Sequence, residues 1–244
     1  MIELRGVAKT YGELEALAPT NLNCQDAQTT VLIGPSGCGK STILRLIIGL
    51  IEPDAGEVLI DGNPLTPETL LTQLREMGYV IQEGGLFPHL TAEQNVWLMM
   101  QHIGGEVRDC VKRVSDLAKL TRFPEEGLTK YPGELSGGQR QRVSLMRALA
   151  LDPPILLLDE PLGALDPIVR NELQTELKEI FAKLKKTVVL VTHDMGEAAY
   201  LGDSIVLLKE GKIIQQGTLE DFKKKPANEF VTQFLNAQRS LVAI

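Results

Sequence analysis

The run Gly34-Pro35-Ser36-Gly37-Cys38-Gly39-Lys40-Ser41 fits the pattern G-x-x-x-x-G-K-[ST] and stands between an apolar strand-like segment, Thr29–Ile33, and an apolar helical one. No other feature restricts the fold as tightly. Glycines are needed where successive backbone N–H groups turn inward around one anion, and the helix that follows must present its N-terminus to the same point. A strand, a glycine-rich turn and a helix in immediate succession commit the chain to an α/β architecture. Lys40 is then placed to reach β- and γ-phosphate oxygens and Ser41 to offer its hydroxyl to Mg²⁺, with Thr42 in the same first turn. Cys38 lies inside the loop, so a bulky adduct on its sulfur is expected to obstruct the phosphate cradle.

Two further segments suit phosphate chemistry. Ile155-Leu156-Leu157-Leu158-Asp159-Glu160 is an apolar strand ending in two carboxylates, the first placed to join a Mg²⁺ shell and the second to polarise a water. Glu160 is therefore the candidate general base, a role worth about 10²- to 10⁴-fold in rate. Some twenty residues upstream, Leu135-Ser136-Gly137-Gly138-Gln139 precedes a helical run from Arg140 to Ala150. The start of that helix would aim free backbone N–H groups, a Ser hydroxyl and the positive end of a helix dipole at a phosphate. His193 follows the apolar strand Thr187–Thr192, and Gln82 closes Tyr79-Val80-Ile81; His89 and His102 have no such setting and are left unassigned.

Alternating strand and helix signals organise the rest. Ile2–Arg5, Thr29–Ile33 and Glu57–Ile60 suit an N-terminal sheet region, with a helix over Ile43–Leu50. Covered parallel strands are expected at Tyr79–Ile81, Ile155–Leu158 and Thr187–Val191. From Glu83 to Leu151 the pattern turns helical, with Val107, Cys110, Val111, Val114, Leu117 and Ala118 on one face. Ile168–Leu184 is a second helix with its stripe at Val169, Leu173, Leu177, Ile180, Phe181 and Leu184, and Asp166 and Pro167 suit its N-cap and first position. Two short strands, Ser204–Leu208 and Lys212–Gln216, flank Glu210-Gly211, and amphipathic helices follow. This reads as one domain, with residues 1–82 and 152–244 as core and β region and 83–151 as a helical subdomain.

Composition removes several function classes. With 244 residues, 43% of them hydrophobic, the chain can bury a substantial core. A net charge of −7 argues against nucleic acid as a partner, and Lys223-Lys224-Lys225 reads as a solvated helix end. No run approaches the roughly 20 apolar residues of a membrane span, so a membrane role would come through partners. Met1-Ile2-Glu3-Leu4-Arg5 has no signal-peptide pattern. Cys24, Cys38 and Cys110 form neither a disulfide framework nor a zinc pattern, which fits a reducing cytoplasm.

In this order and spacing the motifs resemble those of ATP-binding-cassette (ABC) transporter ATPases, over essentially the whole chain. The resemblance implies a P-loop NTPase (RecA-like) core with an N-terminal antiparallel β region and a helical subdomain. It implies ATP and Mg²⁺, the ion held by Ser41, Gln82 and Asp159. Catalysis falls to Glu160 with Lys40, to Gln82 of the Q-loop and to the switch histidine His193. Tyr11, in Lys9-Thr10-Tyr11-Gly12, stands where the family stacks an aromatic on adenine. Asp166, in Gly163-Ala164-Leu165-Asp166, matches the D-loop that touches the opposite subunit. Ser136, Gly137, Gly138 and Gln139 match the signature that closes on ATP held by a second copy or a paired ATPase. Transmembrane permease subunits and, indirectly, an extracytoplasmic solute-binding protein are the implied partners, at the cytoplasmic face of the membrane.

Other classes fit less well. Chromosome-maintenance and DNA-repair ATPases divide the phosphate loop from the signature by a long coiled coil, whereas here only Thr42 to Glu134 intervenes, without sustained heptads. Translation-associated ABC proteins join two cassettes in one chain, and a kinase or GTPase leaves the signature unexplained. The wording Tyr79–Gln82, Leu86-Phe87-Pro88-His89-Leu90-Thr91 and Asp159–Pro167 resembles importer ATPases, above all the quaternary-amine group that takes up glycine betaine, choline or proline. Importers of amino acids or other small solutes share much of it. The chain ends at Ile244 without the paired regulatory repeats that many quaternary-amine ATPases carry, so ionic-strength sensing is not expected of this subunit.

Overall fold

A computed structural model of the chain describes residues 1–82, 84–163 and 165–239. Glu83, at the expected start of the helical region, Ala164 of the D-loop wording and the chain end at Ile244 lie outside the described residues. In chain order the strands are β1 (Ile2–Tyr11), β2 (Leu14–Cys24), β3 (Thr29–Ile33), β4 (Ala55–Ile60), β5 (Asn63–Pro64), β6 (Met77–Val80), β7 (Ile155–Asp159), β8 (Thr187–Val191), β9 (Ser204–Lys209) and β10 (Lys212–Gly217). The helices are α1 (Lys40–Ile47), α2 (Pro67–Leu74), α3 (Ala92–His102), α4 (Val107–Leu120), α5 (Gly137–Leu149), α6 (Pro167–Leu184), α7 (Met195–Leu201), α8 (Leu219–Lys224) and α9 (Glu229–Arg239). They fall into two compact units, one running from Met1 to Gln73 and resuming at Lys185, the other spanning Leu74–Leu184.

In the first unit, β1 pairs antiparallel with β2 on one edge and β4 on the other, giving the order β2-β1-β4-β5. The sequence marks only Ile2–Arg5 of β1 and misses β2. The ladder slips register between Leu4 and Val7 and again before Thr10, and such bulges break the two-residue alternation that identifies a strand. Strand β3 lies between β8 and β9, parallel to both, and β10 closes an antiparallel hairpin on β9. All residues of β3 and β8 are buried, and each Val, Leu or Ile so placed contributes about 1.5–3 kcal/mol. Helix α1 packs on β2 and β8, and α7 on β3. It begins and ends three residues before the expected Ile43–Leu50. Gly49, at φ +70°, breaks it, and the N–H groups of Gly49 and Leu50 turn back to Leu46 and Arg45.

In the second unit, β6 runs parallel to β7, and α5 lies so close on β6 that a Cβ at Gly78 would sit 2.2 Å from the Ala148 carbonyl oxygen. Helix α3 packs on both α4 and α5. The helical pattern expected from Glu83 begins only at Ala92, because 84–91 is an irregular loop. Of the stripe expected on α4, Cys110, Val114, Leu117 and Ala118 are buried, whereas Val107 and Val111 are exposed. Val107 opens the helix, and Val111 stands at the margin of its apolar face. On α6 the expected stripe is covered, fully at Leu173, Leu177, Ile180 and Phe181 and partly at Val169 and Leu184.

Candidate functional site

The phosphate-loop pattern occupies the step from β3 to α1. Gly34, Gly37 and Gly39 have φ of +150°, +76° and +105°, a backbone that side-chain-bearing residues adopt only with strain. Two also lack room for a side chain. A Cβ at Gly34 would lie 2.2 Å from the Leu208 carbonyl oxygen, and one at Gly39 2.8 Å from that of Ala16. The back of the loop is fastened to the β9–β10 turn, where Gly211 donates to Cys38 and accepts from Ala18. Pro35, Ser36 and Gly37 are exposed, and no side chain caps α1. Lys40 is buried, its ammonium arched over its own loop to donate to the carbonyls of Gly34 at 2.8 Å and Pro35 at 3.0 Å. Ser41 and Thr42 are half-buried in the first turn of α1.

An adduct at Cys38, expected to obstruct the cradle, first needs access that the fold restricts. Only 3% of it is exposed, and burial pushes its thiol above the ordinary value against the pull of the nearby Lys40 charge. Cys24 is buried and pushed up to about 12, and Cys110 is buried too. Since the thiolate is the reactive form, the native protein should take up maleimide slowly at neutral pH and all three adducts at once in guanidinium. Intact-mass measurement checks this; fast single labelling of the folded protein at Cys38 would contradict it.

His193 leaves the same sheet edge as the phosphate loop. Strand β8 pairs with β3 so that Val191 faces Leu32, and the Thr192 N–H donates to the Leu32 carbonyl. His193 is exposed there, while the next residue is occupied structurally: Asp194 Oδ1 accepts from Gly196 and Glu197 and caps α7. Tyr11 ends β1 at a tight turn onto β2, 43% exposed, with the Lys9 ammonium 5.9 Å from its ring centre. The ring is thus partly open to solvent.

In the second unit, Val80 of β6 pairs with Leu158 of β7, so Gln82 and Glu160, each two residues further on, emerge from the same edge. Both line a cavity of about 450 Å³ together with Gly137, Arg140, Gln141 and Gly163. Asp159 is buried at the end of β7. Glu160 has φ +47°, a left-handed conformation that costs a non-glycine residue about 1–2 kcal/mol, and its carbonyl accepts from the Gly163 N–H. A carboxylate and an amide facing one cleft can hold and polarise a water. Arg140 and Gln141 carry no role in the sequence reading. Gln141 had a usable signal, as a polar residue at a position of α5 that proves 9% exposed.

The signature residues build their own helix start. Ser136 caps α5 by accepting from the Gln139 N–H, and the Gln139 side chain accepts from the Ser136 N–H. The serine oxygen and one of the N–H groups expected to be free are therefore engaged within the turn. Gly138 is needed for packing, because a Cβ there would lie 2.6 Å from Val169 of α6. Helix α5 is fixed to α6 by a bidentate pair from Arg142 to the buried Glu176, and removing one partner of such a pair costs about 3–5 kcal/mol. Asp166 caps α6 as expected, accepting from Ile168 and Val169.

The loop beyond Gln82 is held from two sides. The fully buried Asn95 accepts from the Phe87 N–H and donates to the carbonyls of Phe87, Leu90 and Thr91. From α5, Ser144 and Arg147 donate to the Gly84 carbonyl and Arg147 also to that of Gly85. Burial draws the Arg147 guanidinium below its ordinary value. Phe87 remains 43% exposed, with Leu86 and Leu90 half-buried beside it.

A family model described as ABC transporter matches residues 17–163. The chain is 46% identical over 240 residues to the choline transport ATP-binding protein OpuBA of Bacillus subtilis, covering 98% of this chain and 63% of that protein. It is 42% identical over 247 residues to the osmoprotectant import ATP-binding protein OsmV of Salmonella typhimurium, covering 99% of this chain and 65% of that one. The chain thus spans somewhat under two thirds of the length of these relatives. Among solved structures, the dimeric structure of the bacterial ABC transporter cassette MJ0796 matches with a TM-score of 0.83 and 39% identity, over 90% of this chain and 99% of that one.

Proposed function

The chain belongs to the ABC transporter family, and from that premise we propose that it hydrolyses ATP to drive solute import through separate membrane subunits, with a quaternary amine or related osmoprotectant as cargo. The observation that carries the ATPase reading is the phosphate loop itself. Gly34 and Gly39 leave no room for side chains behind the cradle, α1 starts without a side-chain cap, and Lys40 already spans the loop. These features fit a nucleotide triphosphate.

Lys40 exchanges its two carbonyl partners for phosphate oxygens, a stronger, charge-assisted pairing. Ser41 offers its hydroxyl to Mg²⁺, and Asp159 and Gln82 are likewise assigned to the ion. Mg²⁺ supplies charge neutralisation at the phosphates. Glu160 takes the proton of the attacking water, Gln82 orients that water through its amide, and His193 contacts the γ-phosphate. Tyr11 stacks on the adenine. Ser136, Gly137, Gly138 and Gln139 of one copy close on the nucleotide of a second, with Asp166 at the same junction.

Among the described residues no helix is long and apolar enough to cross a membrane, so the proposal assigns that task to permease subunits, with a solute-binding protein acting through them on the outer side. The 86–90 loop is the proposed docking element, because Phe87 holds an aromatic ring half in water on a rigid support. The relatives named for choline and osmoprotectant transport support the cargo. Phe87→Asp should abolish uptake while leaving ATP affinity within about two-fold, since no phosphate-contacting group changes. Uptake of labelled glycine betaine, choline and proline in a strain lacking the gene tests the cargo: complementation of any of them supports the proposal, and none with restored flux of another solute overturns it.

A further inference from the structure

Gly84 and Gly85 both adopt left-handed backbones, φ +80° and +50°, directly after the Q-loop glutamine region. A Cβ at Gly85 would lie 2.4 Å from Ile81 Cδ1, so a side chain there would also have to displace that of Ile81. Two successive left-handed residues turn their carbonyls out of the usual alternation, and here both point at one side chain. Arg147 donates Nη2 to the Gly84 oxygen at 3.0 Å and Nη1 to the Gly85 oxygen at 2.8 Å, while Ser144, one turn earlier on α5, donates to the Gly84 oxygen at 2.9 Å. The Gly84 N–H closes the turn on the Ile81 carbonyl. The guanidinium therefore spends its planar fork on two neutral carbonyls, which sets their positions relative to α5 although a carboxylate would bind it more strongly.

We infer that Arg147 is a positioning residue that sets the Q-loop from the signature helix, so that α5 and the loop carrying Gln82 and Phe87 move as one piece. The same helix begins at Ser136 and is fixed at its middle by Arg142 to Glu176. Its first turn, its salt bridge and its loop clamp thus lie along one rigid rod of 13 residues. A displacement of the docking loop is transmitted to the signature turn through Arg147, and closure on a nucleotide is transmitted back. Lysine keeps the charge but lacks the planar fork, so it does not hold the two carbonyls in the same fixed geometry.

This inference rests on the proposed function, and the experiment separates the two. ATP affinity, steady-state hydrolysis and solute uptake are measured on the assembled transporter carrying wild-type chain, Arg147→Lys or Arg147→Ala. The expected result for Arg147→Ala is ATP affinity within two-fold of wild type, kcat lowered about ten-fold, and fewer solutes imported per ATP hydrolysed. Arg147→Lys should recover kcat in part and the solute-to-ATP ratio less. If Arg147→Ala matches wild type in kcat and in that ratio, the inference is overturned while the ATPase reading stands. Equal loss of ATP affinity and kcat in both variants, with a lowered Tm, would show a purely structural residue and also overturn it. Absence of ATP hydrolysis by the wild-type assembly would remove the ATPase reading and the inference together.

Discussion

Glu160→Gln is expected to hydrolyse ATP about 10²- to 10⁴-fold more slowly than wild type while binding it with nearly unchanged affinity. The amide is isosteric with the carboxylate, so the left-handed turn at Glu160 and the Gly163 contact that closes it should persist. What is lost is the proposed proton acceptor, at the cleft that Glu160 lines with Gln82. Because the signature of one copy is proposed to close on the ATP of a second, and this variant leaves that ATP unhydrolysed, it should accumulate as a dimer with ATP and remain monomeric with ADP. Sedimentation in the two nucleotides reads that difference. Parental turnover in the assembled transporter would show that another group removes the proton.

Lys40→Ala should fail at the earlier step. A buried ammonium that donates to two carbonyls at 2.8 and 3.0 Å is replaced by a methyl group, and no neighbouring cation is built into the loop to substitute for it. Each hydrogen bond to a charged group contributes about 1.5–3 kcal/mol, so loss of two phosphate contacts should weaken ATP binding roughly 100-fold or more, with hydrolysis falling in parallel at fixed nucleotide. The fold should tolerate the change, because β3 and α1 keep their packing and the glycine turn keeps its ties to Gly211. Equilibrium binding of a fluorescent ATP analogue tests this, and affinity within three-fold of wild type would refute the assignment.

The two variants also show what a sequence can and cannot disclose. The phosphate loop is legible because its chemistry demands particular residues at particular offsets, and the strands leading to Glu160 and His193 are legible because buried parallel strands are short and continuously apolar. Asp166 is legible as a cap for the same local reason. Strand β2 is not, since its bulged register hides the alternation. Nor is the exposure of Val107 and Val111, which depends on how far neighbouring helices extend. Gly138 illustrates a deeper limit: its place in the signature is visible, but its contact with Val169 depends on a helix some thirty residues away. Asn95 and Arg147 carry no local signal at all, because what they hold is irregular backbone distant in sequence.

Asn95 bears on association in a further way. Restricting one residue's backbone costs about 1–2 kcal/mol of conformational entropy, so an unsupported Phe87–Thr91 segment would subtract several kcal/mol from any complex it joined. With one buried amide shared among four backbone groups, that entropy is surrendered when the polypeptide folds. The permease subunit proposed to dock here would then meet a surface already in its final shape, and the contact energy at Phe87 would go into affinity instead of into ordering a loop.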